Sequence, residues 1–193
     1  MRKADRFTAK EKSGAAKTST PHWRLLAFLA LIWLLVDQAT KHLAVKHLAG
    51  MPPKVVIPDF FNLILVHNRG AAFGFLNDPA IDWQFWLFLG ATLIGCGLVI
   101  YLMRSTPPSR LLTLGLAGIL GGALGNLIDR VRFRAVVDFL DFYYGQWHWP
   151  AFNVADIGIC VGAVLVLLII WKARPTAALS HEHADNPKNG EKK

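Results

Sequence analysis

Two aspartates in apolar surroundings are the residues best suited to carry chemistry in this sequence. Asp138 lies in AVVDFL and Asp156 lies in FNVADIG, and neither has an adjacent cation. If two poorly solvated carboxyl groups approach each other, they cannot both ionise easily, so one keeps its proton while the other acts as a base. Such a pair can activate water for hydrolysis of an amide bond. The spacing alone does not show that the two side chains meet.

Three other aspartates have simple structural explanations. Asp37 and Lys41 are four residues apart and would share one face of a helix, where an ion pair lets a short apolar run cross a membrane. Asp129, next to Arg130, could be a polar clamp at the end of a helix. Asp141 could simply face water.

The other residue types narrow the catalytic options. Every Glu lies near a terminus, and every Ser lies near a terminus or in the polar stretch 104–110. There is no G-x-S-x-G or H-E-x-x-H motif, and the one His-rich tract, His181–His183, is close to the C-terminus. Cys96 and Cys160 fall in apolar segments, where a free Cys behaves as a small hydrophobe. We therefore expect no serine or zinc hydrolase, and neither a metal nor another cofactor.

Four long apolar segments must position the aspartates. The chain is 53% hydrophobic and only 18% charged, a composition shifted toward membrane proteins. A membrane-spanning helix needs about 20 predominantly apolar residues. The segments predict spans at about 23–46, 83–103, 110–129 and 153–172. Glycines four residues apart in the last two spans predict close approach of helices; they are Gly118 and Gly122, Gly121 and Gly125, and Gly158 and Gly162.

The first span has an alternative interpretation as a cleaved signal peptide. Its uninterrupted apolar run, Leu25–Val36, is short and follows basic residues, which is typical of such peptides. However, the sequence DQATKHLAVK continues a helix and lacks a clear small-x-small cleavage site. We favour an uncleaved span that continues through Asp37 and Lys41.

The basic residues predict the orientation of the chain. Residues 1–22 and 174–193 are polar and aperiodic, so we expect disordered tails around one four-span domain at 23–173. Of the 21 Lys and Arg residues, 14 lie in the tails, their flanks and the loop between spans two and three. This asymmetry places both termini in the cytoplasm. Because the net charge of +8 belongs to these flanks, we expect no nucleic-acid partner.

Two segments, 54–76 and 130–153, then face outward. The first is rich in β-branched and aromatic residues bounded by Pro, Asn and Gly, which predicts short strands with a turn at 68–70. It is too apolar to float free in water. We therefore predict an all-α membrane protein with four transmembrane helices, a small β-sheet on the outer face, and an outer loop covering the site. Four aspartates lie toward this face: Asp37, Asp129, Asp138 and Asp156.

At these residues the sequence resembles the lipoprotein signal peptidase family, also called type II signal peptidases. The resemblance covers about residues 25–172 and rests on five ordered motifs: VDQATK at 36–41, HNRGAAFGF at 67–75, GGALGNLIDR at 121–130, VVDF at 136–139 and FNVAD at 152–156. It implies that Asp138 and Asp156 are the catalytic pair. It also implies supporting or substrate-binding roles for Asp37, Lys41, Asn68, Asn126, Asp129, Arg130 and Asn153.

The same resemblance implies an activity. A member of this family would be an aspartic endopeptidase of the bacterial inner membrane, with its site toward the periplasm. It would remove signal peptides from diacylglyceryl-modified prolipoproteins and cut just before the lipidated Cys. The implied partners are these lipid-modified signal peptides and membrane lipids, with globomycin-like cyclic peptides as inhibitors. Arg69 inside the HNRG motif and the long polar tails are minor departures from the family pattern.

Two other classes of protein compete with this interpretation. Intramembrane Asp and Lys residues could line an ion or proton path in a small transporter or channel, or the chain could be a purely structural membrane scaffold. The aspartates gather toward one face, however, and the apolar stretches of the two middle spans carry no charge. Only the peptidase needs both Asp138 and Asp156 at one site.

Overall fold

The structure is a computed structural model that describes residues 22–70, 83–107 and 109–172. Its elements are, in chain order, α1 (Trp23–Leu48), β1 (Lys54–Ile57), β2 (Phe61–Asn68), α2 (Trp83–Ser105), α3 (Arg110–Phe133), β3 (Val136–Tyr144), β4 (Trp147–His148) and α4 (Val154–Lys172). The predicted tails lie outside the described residues, except for His22. So does the stretch after Gly70, where a covering loop would follow β2.

All four helices are long and apolar enough to cross a membrane, as the sequence predicts. The largest difference in boundaries is at α3, which continues past the predicted residue 129 to Phe133. It ends at Arg134, whose φ of 56° is left-handed and whose N–H donates to the Arg130 carbonyl oxygen at 3.0 Å. This is a common way to end a helix, because it satisfies one of the last free carbonyls.

Helix α3 is the centre of the bundle and contacts α1, α2 and α4. Its glycines allow close backbone contact with α1 and α4. A Cβ at Gly118 would lie 2.6 Å from the carbonyl oxygen of Gly158 on α4, and a Cβ at Gly121 would lie 2.5 Å from that of Ala30 on α1. A methyl group at either position would push the helices apart, so the predicted close approach is confirmed.

Apolar side chains cover both the inside and the outside of the bundle. Leu116 is fully buried, whereas Phe28, Ile94 and Leu167 are at least 60% exposed. Exposed apolar faces on helices of this length suit contact with lipid. A second buried cluster joins the end of α1 to the sheet, since Ala44 and Leu48 pack against Phe139 of β3.

The four strands form one antiparallel sheet in the order β1-β2-β3-β4. The turn between β1 and β2 contains Asp59, with a left-handed φ of 59°. The sequence predicts the turn at 68–70 instead, where the chain does bend after β2 and the Gly70 N–H donates to Asn68 Oδ1 at 3.0 Å. The small sheet is confirmed, but its first hairpin turn lies earlier than predicted.

Strands β3 and β4 are absent from the prediction, which treats the segment after α3 as a loop. Asp138 therefore lies on a strand, paired with Val66 of β2. The prediction for Asp141 is also wrong: this residue is 3% exposed, and its side chain bonds to Asn62 and His148. Both differences have the same cause, because β3 is covered by α1 and by its neighbouring strands and does not lie in solvent.

Candidate active site

Asp138 is held on β3 by two amide donors. The residue is 3% exposed. Oδ2 accepts a hydrogen bond from Asn68 Nδ2 at 3.1 Å, and Oδ1 accepts one from Asn153 Nδ2 at 2.7 Å. Asn68 ends β2 and Asn153 immediately precedes α4, so three separate elements fix this carboxyl group.

Asp156 lies in the first turn of α4 and forms a reciprocal cap with Asn153. The Asp156 N–H donates to Asn153 Oδ1 at 3.1 Å, and the Asn153 N–H donates to Asp156 Oδ2 at 3.2 Å. This arrangement satisfies two free donors at the start of the helix. A carboxylate is also favoured there because the N-terminal end of a helix carries partial positive charge.

Asn126 and Asn153 connect the two carboxyl groups. Asn126 Nδ2 donates to Asp156 Oδ1 at 2.8 Å, and its Oδ1 accepts from Asn153 Nδ2 at 3.3 Å. Asn153 Nδ2 therefore serves Asp138 and Asn126 together. Because an amide presents donors on one side and an acceptor on the other, these bonds fix the orientation of both asparagines.

The two carboxyl groups also interact electrostatically. The pKa of Asp138 is raised from 3.8 to about 7, first because burial penalises its charged form and second because of the negative charge on Asp156. Hydrogen bonds from Asn68 and Asn153, together with the charge of Lys41, oppose this rise in pKa. The structure thus brings Asp138 and Asp156 into one electrostatic unit, which sequence spacing could not establish.

A buried ion cluster lies beside Asp138 and Asp156, the two residues called the dyad below. It is formed by Asp37, Lys41 and Asp129. Lys41 Nζ lies 3.0 Å from Asp37 Oδ2 and 2.8 Å from Asp129 Oδ2. The predicted pair between Asp37 and Lys41 is confirmed, but Lys41 serves two carboxylates. It also donates to Asn126 Oδ1 at 2.8 Å, which links the cluster to the asparagine that holds Asp156.

The carboxylates of this cluster anchor the backbone next to the dyad. Asp37 Oδ1 accepts a hydrogen bond from the Ala155 N–H at 2.8 Å, one residue before Asp156. Asp129 Oδ2 accepts one from the Val137 N–H at 3.1 Å, one residue before Asp138. The ion cluster therefore holds both candidate catalytic residues through their preceding peptide groups.

Gln38 completes the cluster and is absent from the predicted site. Its Nε2 lies 3.0 Å from Asp129 Oδ1, 3.2 Å from Asp37 Oδ2 and 3.2 Å from the Gly125 carbonyl oxygen. The sequence feature that could have indicated a role for Gln38 in the site is its position next to Asp37 in the VDQATK motif. Gly125 makes room for the cluster, because a Cβ there would overlap the Asp37 carboxylate.

Arg130 lies at the opposite edge of the site. Its Nη1 reaches the Asn126 carbonyl oxygen at 3.4 Å, and its guanidinium carbon is 4.3 Å from the centre of the Phe88 ring on α2. This contact fixes the direction of the side chain by a cation–π interaction. Arg130 faces the same cavity as the dyad.

Both aspartates line one cavity of about 530 Å3. Its polar end holds the dyad with Asn68, Asn126 and Arg130. The remaining wall is mostly apolar and is formed by 149–152, between β4 and α4, and by the α4 residues Ile157, Cys160 and Val161. A water molecule between the two carboxyl groups would have a base and an acid on either side of it. Within the described residues, no three His, Cys, Asp or Glu side chains are grouped to bind a metal.

The placement of the polar residues also distinguishes the competing classes of protein. Asp37 and Asn126 lie in the later parts of α1 and α3, and Asp156 lies at the start of α4. These polar residues thus meet at the end of the bundle that carries the sheet. A path for ions would need polar groups at successive depths, and the described cluster does not have that distribution.

Comparison with known proteins identifies the relatives of this chain. The model of the signal peptidase II family matches residues 29–172. The lipoprotein signal peptidase of Oleidesulfovibrio alaskensis is 51% identical over 152 residues, which cover 79% of this chain and 97% of that protein. The lipoprotein signal peptidase of Vibrio parahaemolyticus is 42% identical over 169 residues, which cover 86% of this chain and 98% of that protein.

Solved structures share the fold. One bacterial membrane enzyme has a TM-score of 0.68 at 24% identity, covering 91% of this chain and 99% of the other. A second bacterial membrane enzyme has a TM-score of 0.67 at 27% identity, covering 81% of this chain and 98% of the other. The four-helix architecture with its small sheet therefore matches experimental structures over nearly their whole length.

Proposed function

Since the chain belongs to the signal peptidase II family, we propose that it is a membrane-embedded aspartic endopeptidase that removes signal peptides from diacylglyceryl-modified prolipoproteins. It cuts just before the lipidated Cys. The observation that carries this proposal is the pair of carboxyl groups of Asp138, which is buried, and Asp156, which is partly buried; two asparagines join them at one cavity.

Asp138 holds the proton of the resting dyad in this proposal. Its pKa of about 7 keeps a large fraction of it protonated at neutral pH. Asp156 is the base, since its carboxylate accepts from the Asn126 amide and from the Asn153 N–H at the start of α4. This assignment gives each aspartate a separate role.

Cleavage then proceeds by general acid–base catalysis. Asp156 takes a proton from water while the water oxygen attacks the scissile carbonyl carbon, and Asp138 gives its proton to the carbonyl oxygen. The resulting tetrahedral intermediate collapses when its hydroxyl returns a proton to Asp138 and Asp156 gives the other proton to the leaving nitrogen of the Cys residue. The dyad is restored, and no acyl group becomes attached to the enzyme.

The cavity suits a peptide with an attached lipid. Its polar end can hold the peptide backbone through Asn68, Asn126 and Arg130, because amide and guanidinium groups offer matching donors. Its apolar wall continues on α4 to Val161, a half-exposed position that would face lipid. A diacylglyceryl group could therefore remain in contact with membrane lipids while the Cys reaches the dyad. Globomycin-like cyclic peptides would compete for the same cavity.

We propose that both termini are cytoplasmic and that the site opens toward the periplasm. The excess of basic residues in the tails and in the loop between α2 and α3 supports this orientation. The dyad and the sheet would then lie at the outer surface, where the lipid anchor of a prolipoprotein is located. Reporter fusions after Arg104 and at the C-terminus should both give a cytoplasmic signal, and a periplasmic signal from either would contradict the orientation.

The function can be tested with purified protein and a lipidated prolipoprotein. Wild type should cleave it and should cleave the unlipidated precursor poorly, whereas Asp138→Asn and Asp156→Asn should each lose at least about 10³-fold in kcat. The double variant should be little worse, because the two groups act as a unit. Asp59→Asn, at an exposed turn, controls for the loss of a carboxylate. A folded Asp138→Asn or Asp156→Asn protein with near wild-type cleavage would contradict the assignment.

A further inference from the structure

A second buried carboxyl group lies on β3, outside the dyad. Asp141 is 3% exposed. Its Oδ1 is 2.8 Å from His148 Nδ1, and its Oδ2 accepts from Asn62 Nδ2 at 3.1 Å. The five family motifs include none of these three residues. Burying a carboxyl group is costly unless it is hydrogen-bonded or paired, so the burial of Asp141 depends on its contacts with Asn62 and His148.

The partner of Asp141 lies on a very short strand. His148 is one of two residues in β4, and its ring stacks on Tyr143 with centroids 5.1 Å apart. Only two residue pairs join β3 to β4, namely Tyr143 with His148 and Tyr144 with Trp147. A ladder of this length is marginal by itself, so the side-chain contact between Asp141 and His148 stabilises the hairpin.

This hairpin connects the two catalytic elements. β3 carries Asp138, and the chain leaves His148 through the cavity wall 149–152 before it reaches α4. The Trp149 N–H donates to the Phe142 carbonyl oxygen at 2.8 Å, directly after His148. Whatever fixes His148 therefore fixes the start of the cavity wall.

The far end of the wall has separate anchors. Phe152 exchanges backbone hydrogen bonds with Leu140 at 2.9 and 3.1 Å. Asn153 is bonded to Asp138, and the Ala155 N–H to Asp37. The near end is held by the backbone bond of Trp149 and by the short hairpin that the contact at His148 stabilises. Loss of that contact would therefore weaken the support of the near end while the dyad keeps its geometry.

We propose that Asp141 and His148 are positioning residues of the peptidase, which act by holding the cavity wall 149–152 in the shape that binds the signal peptide. This inference rests on the proposed function. Neither side chain touches the reacting atoms in this scheme. The wall contributes to substrate binding and not to proton transfer, so the effect belongs in KM and not in kcat.

Two amide substitutions at His148 distinguish the effect of the hydrogen bond to Asp141 from the effect of side-chain size. The Asn amide nitrogen is the same number of bonds from Cβ as His Nδ1, so His148→Asn can still donate to Asp141. The Gln amide nitrogen corresponds to Nε2, so His148→Gln keeps a polar side chain of similar size but misplaces the donor. Gln146→Ala, an exposed position on the same hairpin, is the control.

The test is steady-state cleavage of a lipidated prolipoprotein by these variants. We expect His148→Ala and His148→Gln to raise KM about tenfold with kcat within about twofold of wild type, and His148→Asn and Gln146→Ala to keep the wild-type KM. Asp141→Asn, which removes the charge on the other side of the contact, should raise KM in the same way.

Several results would overturn the proposal. A wild-type KM in His148→Gln would show that the contact does not shape the wall. An equal rise of KM in His148→Asn and His148→Gln would show that the imidazole itself is required. A fall in kcat without a change in KM would place the pair in the chemistry. If His148→Ala does not fold, the comparison of Asn with Gln decides alone. Failure of wild type to cleave any lipidated substrate would instead contradict the proposed function.

Discussion

Replacing Asp138 by Asn should increase the stability of the protein at pH 8 while it removes cleavage. The pKa of Asp138 is about 7 in the folded protein, against an ordinary value of 3.8. The folded state therefore binds this proton more tightly than the unfolded state does. Below about pH 3.8 the carboxyl group costs no stability. The cost grows as the pH rises from the unfolded-state pKa of 3.8 to the folded-state pKa of about 7, and it is constant above that pH.

The size of this stability cost follows from the difference between the two pKa values of Asp138. At about 1.4 kcal/mol per pH unit, the Asp138 carboxylate lowers the free energy of unfolding by about 4 kcal/mol at pH 8 and by less than half of this amount at pH 5. Asn removes this cost but has one oxygen for two donors, Asn68 and Asn153. The unpaired donor costs about 1–3 kcal/mol at every pH. The net gain is about 1–3 kcal/mol at pH 8 and close to zero at pH 5.

The assay is thermal unfolding of both proteins in one detergent at matched scan rates. For a chain of this size, about 1 kcal/mol corresponds to about 2–4 °C in Tm. The Tm advantage of Asp138→Asn should therefore be about 5–10 °C larger at pH 8 than at pH 5, and Asp59→Asn should show no such trend. An advantage that is independent of pH, or that is larger at pH 5, would refute the reasoning about Asp138.

The supporting residues lead to two more predictions. Lys41→Met should lower the Tm more than Asp37→Asn does, because it leaves two buried carboxylates without their cation; an equal loss of Tm in the two variants would show that the bond to Asp129 contributes little. Gly125→Ala should lower both Tm and kcat, because its Cβ would overlap the Asp37 carboxylate, whereas Gly97→Ala on α2 has open space and should match wild type. Wild-type activity in Gly125→Ala would mean that the ion cluster can shift without disturbing the dyad.

The helices could be predicted from sequence because their signal is local. About twenty predominantly apolar residues identify a possible span wherever the helix packs, and each of the four predicted segments forms a helix long and apolar enough to cross a membrane. The i,i+4 spacing likewise identified the contact between Asp37 and Lys41. The second partner of Lys41, Asp129, is 88 positions away in the chain, so no local pattern could indicate it.

Strand β3 shows where a local pattern misleads. Its sequence VVDFLDFYY has the β-branched and aromatic residues of a strand, but two aspartates in it favour an exposed loop. The structure buries both, because Asp138 meets asparagines from two other elements and Asp141 meets Asn62 and His148. A polar group can be buried only if the folded chain brings suitable partners close to it. For this reason the sequence could predict Asp138 and Asp156 as a candidate pair but could not show that they meet.

The reciprocal bonds between Asn153 and Asp156 affect how bacteria could become resistant to inhibitors of this enzyme. These two hydrogen bonds cap the start of α4 and also hold Asp156, the proposed base. A substitution at either position that weakens a drug contact therefore also removes a helix cap, which costs about 0.5–2 kcal/mol. Compounds that bond to these two residues should therefore select escape mutations elsewhere, in the apolar wall of the cavity. Resistant and fully active strains with changes at Asn153 or Asp156 would show that capping and catalysis can be separated.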